Sequence, residues 1–161
     1  AYIAGQLLGA MLGALLAWAA FKQLFDANNL DEAGNETGAN ASTGGIFFTG
    51  PAHPNNFWNA VTEFIGTCVL LMFIAFGPSG GEIGALKYFA VAFVVVSVGL
   101  SLGTPTGYAI NPVRDLGPRL MYAFVLPIKG KGSANWGYAW VPIVAPLLAA
   151  VAIGFLSMAL A

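Results

Sequence analysis

Charged residues make up only 8% of this 161-residue chain, against about 25% in an ordinary soluble domain, which excludes a conventional water-soluble globule. Six Lys and Arg against seven Asp and Glu leave a formal net charge of -1. There is neither a basic stripe for a nucleic-acid backbone nor an acidic tail for a basic partner, so nucleic acid is set aside. The one cysteine, Cys68, can form no internal disulfide and, lying in an apolar run, reads as a small buried hydrophobe. The one histidine, His53, sits in a polar stretch beside Pro54. With no nucleophile and carboxylate in register with it, an enzyme is the least fitting class. No catalytic residue, metal ligand or cofactor is expected. An initiating Met, a charged n-region and a cleavage site are missing as well, so the start Ala1-Tyr2-Ile3 is no signal peptide and reads as cut from something longer.

What the chain has instead is apolar length. Apolar residues form 58% of it and mean hydropathy is +0.76, the profile of a membrane protein. Four stretches are long enough to span a hydrocarbon core, which takes about 20 residues: residues 1–25, 57–76, 86–102 and 138–161. Between the first two lies the only sizeable polar segment, 26–56, which belongs outside the membrane. It carries Asp26, Asp31, Glu32 and Glu36 with no Lys or Arg, which favours a non-cytoplasmic side. Lys129 and Lys131 before the last span, and Glu82 with Lys87 before the third, fix no orientation. Asn35-Glu36-Thr37 and Asn40-Ala41-Ser42 are formal glycosylation sequons of a kind that arises readily by chance in Asn- and Thr-rich segments.

The first span repeats glycine at Gly5, Gly9 and Gly13, with Ala10 and Ala14 on a neighbouring stripe. Four-residue spacing stacks such residues on one helical face, where another helix can approach closely. Glu63, within the second span, would be costly facing lipid and is expected to point inward and accept hydrogen bonds.

The most informative stretch runs from Gly103 to Arg119. Two glycines and a proline predict a broken helix, leaving carbonyls from about Gly103 to Ile110 without helical partners. Asn111 then reads as an N-cap with Pro112 at the first helical position. The helix that starts there reaches Pro127 after about 15 residues, roughly 22 Å, too short to span alone, and reads as a re-entrant half-helix within 103–126. Irregular backbone at membrane depth is tolerated where it is buried in protein or lines a water-filled cavity. A pore follows: free carbonyls accept, the Asn111 amide and Arg114 guanidinium donate, Tyr108 supplies an aromatic wall, and the helix terminus with Arg114 repels cations and hydronium. The same residues also fit an extramembrane turn in which Arg114 pairs with Asp115 or a lipid headgroup.

Gly107-Tyr108-Ala109-Ile110-Asn111-Pro112-Val113-Arg114-Asp115 resembles the second Asn-Pro-Ala box of the aquaporin superfamily, followed by its pore arginine. The likeness extends along the chain: Gln6 with the glycine stripe resembles the third family helix, Glu63 the buried glutamate of the fourth, and the last span the sixth. The resemblance implies an all-α bundle of six helices and two half-helices per subunit, of which this chain supplies four spans and one half-helix. It also implies a homotetramer in the bilayer, in a plasma membrane, with one pore per subunit. It points to the glycerol-conducting branch. Arg114 takes the place of the selectivity-filter arginine, Tyr108 that of the filter aromatic, and Gly99 the position where water-selective members carry histidine, giving a wider constriction. Gly107, Tyr108 and Ala109 would line the solute path with carbonyls, while Asp115, Arg119 and Pro146-Leu147 follow the pattern of glycerol facilitators.

The sequence departs from the family at Val113, in place of the box alanine, and at Tyr108, where many members have phenylalanine. The first Asn-Pro-Ala box, two helices and the second filter aromatic are not in the sequence, so either the chain is truncated or a partner chain completes the pore. The expected function is passive conduction of glycerol, water and other small neutral solutes, without ions or protons. A water-selective channel, half of a secondary transporter and a purely structural membrane subunit are the alternatives.

Overall fold

The computed structural model describes residues 1–160. In chain order its helices are α1 (Tyr2–Ala20), α2 (Lys22–Asn28), α3 (Asn56–Phe76), α4 (Gly80–Ile83), α5 (Leu86–Thr106), α6 (Pro112–Leu120) and α7 (Val141–Leu160). A 3-10 segment covers Ala39–Ile46, and a π-helical turn, Met121–Val125, extends α6. Among the described residues no strand forms; Leu30 and Glu36 make a single bridge. Helices α1, α3, α5 and α7 hold 19, 21, 21 and 20 residues and are long and apolar enough to cross a membrane. At about 1.5 Å per residue they measure roughly 28–32 Å, the thickness of a hydrocarbon core. Ala161, the last residue of the expected fourth span, lies outside the described residues.

The chain divides into two compact units, residues 1–49 with 113–139, and 50–112 with 140–161. In the first, the core gathers Ala14, Phe25, Phe47, Phe48, Met121, Tyr122 and Leu126. Tyr122 is wholly buried, with Phe47 and Phe48 ring centroids 5.6 and 5.3 Å from its own. These offset and edge contacts are the favoured aromatic geometries. Its hydroxyl accepts the amide of Gly132 at 2.9 Å. The polar segment is thus largely folded, and Asn40 pins it. The Asn40 side chain is fully buried, donates to the carbonyls of Phe25 and Lys129, both at 2.8 Å, and accepts from Asn28 at 2.9 Å. The amide nitrogen that a glycan would need is therefore occupied in the folded chain.

In the second unit α3 packs against both α5 and α7. Val141, Ala145, Ala149 and Ile153 recur every four residues on α7 and are all buried, and α3 buries Gly66. A Cβ at Gly66 would meet Val98 and Ile110 at 3.2 Å, so the glycine allows the close approach. The outward face of α5 remains apolar, with Phe89, Phe93, Val96 and Leu100 exposed.

Two expectations, on the first span and on the end of α5, need correction. The first span ends at Ala20, with a turn at Phe21 before α2. As expected of a small-residue face, α1 makes a close helix contact, where Ala10 meets Gly117 of α6 and Ala14 is buried; no described residue lies within 4 Å of a Cβ at Gly5, Gly9 or Gly13. The expected break at Gly103 falls four residues later, because α5 continues through Pro105 to Thr106 and stops at left-handed Gly107, φ 81°. A last-turn proline forfeits one amide bond only. The Pro105 carbonyl accepts the Ala52 amide at 2.9 Å, and the Gly107 amide closes on the Gly103 carbonyl at 2.7 Å.

Candidate functional site

Between α5 and α6 the backbone is irregular over residues 107–111. Gly107 is left-handed at no steric cost, but Tyr108 and Ile110 are left-handed too, at φ 42° and 43°, where a side chain costs about 1–2 kcal/mol each. Glu63 accounts for their persistence. It is 1% exposed, and its two carboxylate oxygens accept the amides of Ala109 at 2.9 Å and Ile110 at 2.8 Å. Because a trans peptide sets N–H and C=O on opposite sides, the carbonyls of Tyr108 and Ala109 are turned away from Glu63. The space about Glu63, walled by Gly66, Val98, Leu102 and Ile110, has no room for a water molecule. Glu63 is therefore a brace for backbone, inward-pointing as expected, and what it presents to the far side is a pair of oriented acceptors.

The Tyr108 ring lies along α5. A Cβ at Gly99 would stand 2.9 Å from Cζ and 3.0 Å from Cε2 of the ring, and one at Gly103 would stand 3.1 Å from Cδ1. Both glycines leave the ring a seat on the helix, with Tyr108 36% exposed on the other side. The Gly99-to-Gly103 interval of four residues was a readable signal for this seat; in the sequence Gly103 counts only as a helix breaker.

Asn111 occupies the bend before α6, and Pro112 opens the helix, with Val113 in its first turn. Along α6 the side chains part. Arg114 is exposed, whereas Asp115, Gly117 and Arg119 are buried. Asp115 and Arg119 form an ion pair at 0% exposure, Nε to Oδ2 at 2.8 Å and Nη2 to Oδ1 at 3.0 Å. Asp115 also accepts the amide and hydroxyl of Thr49, at 2.8 and 2.6 Å. Arg119 further donates to the carbonyls of Thr49, Ala134 and Asn135, and the Phe48 ring centroid lies 4.3 Å from its guanidinium carbon. An ion pair so fully hydrogen-bonded can bear burial. It ties the end of the polar segment, α6 and the loop before α7 into one piece of the first unit. Sequence reasoning placed Asp115 as structural support; it missed Thr49 and the depth of Arg119.

Lys131 caps the far end of the half-helix. Its ammonium donates to the carbonyls of Tyr122, Ala123 and Leu126, at 2.6, 3.3 and 2.8 Å, where a cation suits the negative helix terminus. Among the described residues no cluster of His, Cys, Asp or Glu is set to hold a metal. His53 is exposed, and Cys68 is half-buried as a free thiol.

A family model described as Major intrinsic protein matches residues 1–157. The chain is 45% identical over 148 residues to the glycerol uptake facilitator protein of Bacillus subtilis (strain 168), covering 91% of this chain and 50% of the relative. It is 44% identical over 150 residues to the glycerol uptake facilitator protein of Streptococcus pneumoniae serotype 4, with 92% and 59% covered. With aquaglyceroporin-3 of Trypanosoma brucei brucei it shares 38% over 155 residues, 93% and 49% covered. The chain thus spans about half to three-fifths of the length of these curated relatives.

Proposed function

The chain belongs to the major intrinsic protein family as an integral multi-pass membrane protein, and we propose that the protein carrying it is a passive channel for glycerol, water and other small uncharged solutes. It catalyses no reaction. The observation that carries the reading is the Glu63 brace, which holds two successive amides so that the carbonyls of Tyr108 and Ala109 are presented as a ladder of acceptors. Hydroxylated solutes shed water at such a ladder without a large penalty, because each lost hydrogen bond is replaced. Gly107 contributes the carbonyl before them. The Asn111 amide and the Arg114 guanidinium are the donors, on the likeness of the box that opens α6.

Width and charge complete the selection. Gly99 leaves space that a side chain would fill, and the Tyr108 ring offers a face to the carbon backbone of a polyol. Arg114 and the positive end of α6 repel cations and hydronium. Pro112 and Val113 start the half-helix, and the buried Asp115 holds it from behind. The names of the relatives, glycerol uptake facilitators among them, support glycerol as a solute. We assign the protein to the plasma membrane as a homotetramer with one pore per subunit.

The test is stopped-flow light scattering of vesicles containing the protein that carries this chain, under a glycerol and then a sucrose gradient, beside Arg114→Ala. Fast, non-saturating glycerol entry that the substitution alters is the expected result. Water flux without glycerol flux would make it a water channel, and neither flux would refute the pore.

A further inference from the structure

We propose that Gly103 is a specificity-determining positioning residue, which sets the tilt of the Tyr108 ring against α5 and thereby the bore available to solutes. The inference rests on the channel reading above but concerns a residue to which that reading gives no role. Three observations meet at this position. The ring of Tyr108 spans one helical turn of α5, its Cδ1 over Gly103 and its Cζ over Gly99. The backbone that aims the ring cannot easily turn aside, because Tyr108 is left-handed and the next two amides are held by the Glu63 carboxylate. The ring is also 36% exposed on the side away from the helix, so that side is the direction in which it can yield.

A methyl at Gly103 would stand 3.1 Å from Cδ1 and 3.5 Å from Cε1, where carbon–carbon contacts settle at about 3.5–4.0 Å. The ring must give by a few tenths of an ångström near its root, and the displacement grows toward the phenol oxygen at its far end. Since α5 blocks retreat, the ring moves into the open side, which is the solute path. Constriction discriminates by size, so glycerol flux suffers more than water flux. Intrinsic helix propensity moves the other way. Gly→Ala inside a helix is favourable by about 1 kcal/mol of intrinsic propensity, so a residue with only a structural part to play would leave the flux ratio alone.

The experiment compares Gly103→Ala with the unsubstituted protein in vesicles and reads glycerol and water permeabilities separately, with thermal unfolding as a check on folding. Glycerol entry should fall roughly fivefold or more relative to water. Combining Gly103→Ala with Tyr108→Ala should bring the ratio back to that of Tyr108→Ala alone, because the colliding ring is gone, a coupling that independent sites would not show. Gly103→Ala with Tyr108→Phe should not restore it, since Cδ1 and Cε1 remain. An unchanged ratio in Gly103→Ala, or additive effects in the double variant, would overturn the inference. Failure of the unsubstituted protein to conduct glycerol would instead overturn the channel reading.

Discussion

Glu63→Gln changes one oxygen to an amino group at nearly constant volume, and the consequence can be worked through from the geometry. Each bond from a buried amide to the carboxylate contributes about 1.5–3 kcal/mol, so the pair contributes about 3–6 kcal/mol. Against this stand the left-handed Tyr108 and Ile110, at about 1–2 kcal/mol each. The brace, at about 3–6 kcal/mol, and the strain, at about 2–4 kcal/mol for the two residues together, are therefore of the same order. In the Gln variant one bond survives, and the new amino group faces a backbone N–H, donor against donor. Losing the bond and stranding a buried donor costs about 3–5 kcal/mol, with no room for a water to intervene. The balance reverses, residues 108–110 relax, and the carbonyls of Tyr108 and Ala109 lose their common direction. Glycerol permeability in vesicles should drop by about tenfold or more, with the helices still formed by circular dichroism. Permeability and unfolding temperature both equal to those of the unsubstituted protein would refute the reasoning.

Arg119→Met should destabilise the fold by about 3–5 kcal/mol, because Asp115 is left buried without its counter-charge; denaturation in detergent measures it, and a change within error would mean the pair is not buried in solution. Gly132→Ala places a Cβ 2.2 Å from the carbonyl oxygen of Ala41 and should lower the unfolding temperature, the neighbour being backbone that cannot rotate away; an unchanged temperature would count against the packing there. Asp31 is held below the usual carboxylate range, chiefly by the side chain and then the backbone amide of Asn35. A depressed folded pKa contributes stability above the unfolded pKa and loses it as pH falls through the folded one. Order in residues 31–35, read by amide exchange, should fade on acidification below about pH 4, and Asp31→Asn should abolish the pH dependence.

How far the sequence carried this reading differs from element to element. The spans were legible because length and apolarity determine them, and the start of α6 was legible because proline suits a first helical position. Glu63 was legible because a carboxylate in a span has few tolerable places to point. The end of α5 was not. Gly103 and Pro105 both read as breakers, and the last turn instead closes through the Gly107 amide on the Gly103 carbonyl, with the Pro105 carbonyl taken by the amide of Ala52, more than 50 residues earlier in the chain. Arg119 escaped notice for a similar reason, since its burial depends on carbonyls of Thr49, Ala134 and Asn135 that no local pattern announces.

The Arg119 cluster has a consequence for the order of assembly. Asp115 and Arg119 are one helical turn apart and can meet as soon as α6 forms, but Thr49 lies 66 residues before Asp115, and Ala134 lies 15 residues after Arg119. A nascent chain must therefore hold the Thr49 end of the polar segment open while all of α3 and α5 are synthesised. Only when Asn135 has emerged can every donor of that guanidinium be satisfied. Closing so long a loop is the slow kind of event in folding. The guanidinium cluster of the first unit is thus completed only after the segment between its two halves, α3 and α5 included, has been made.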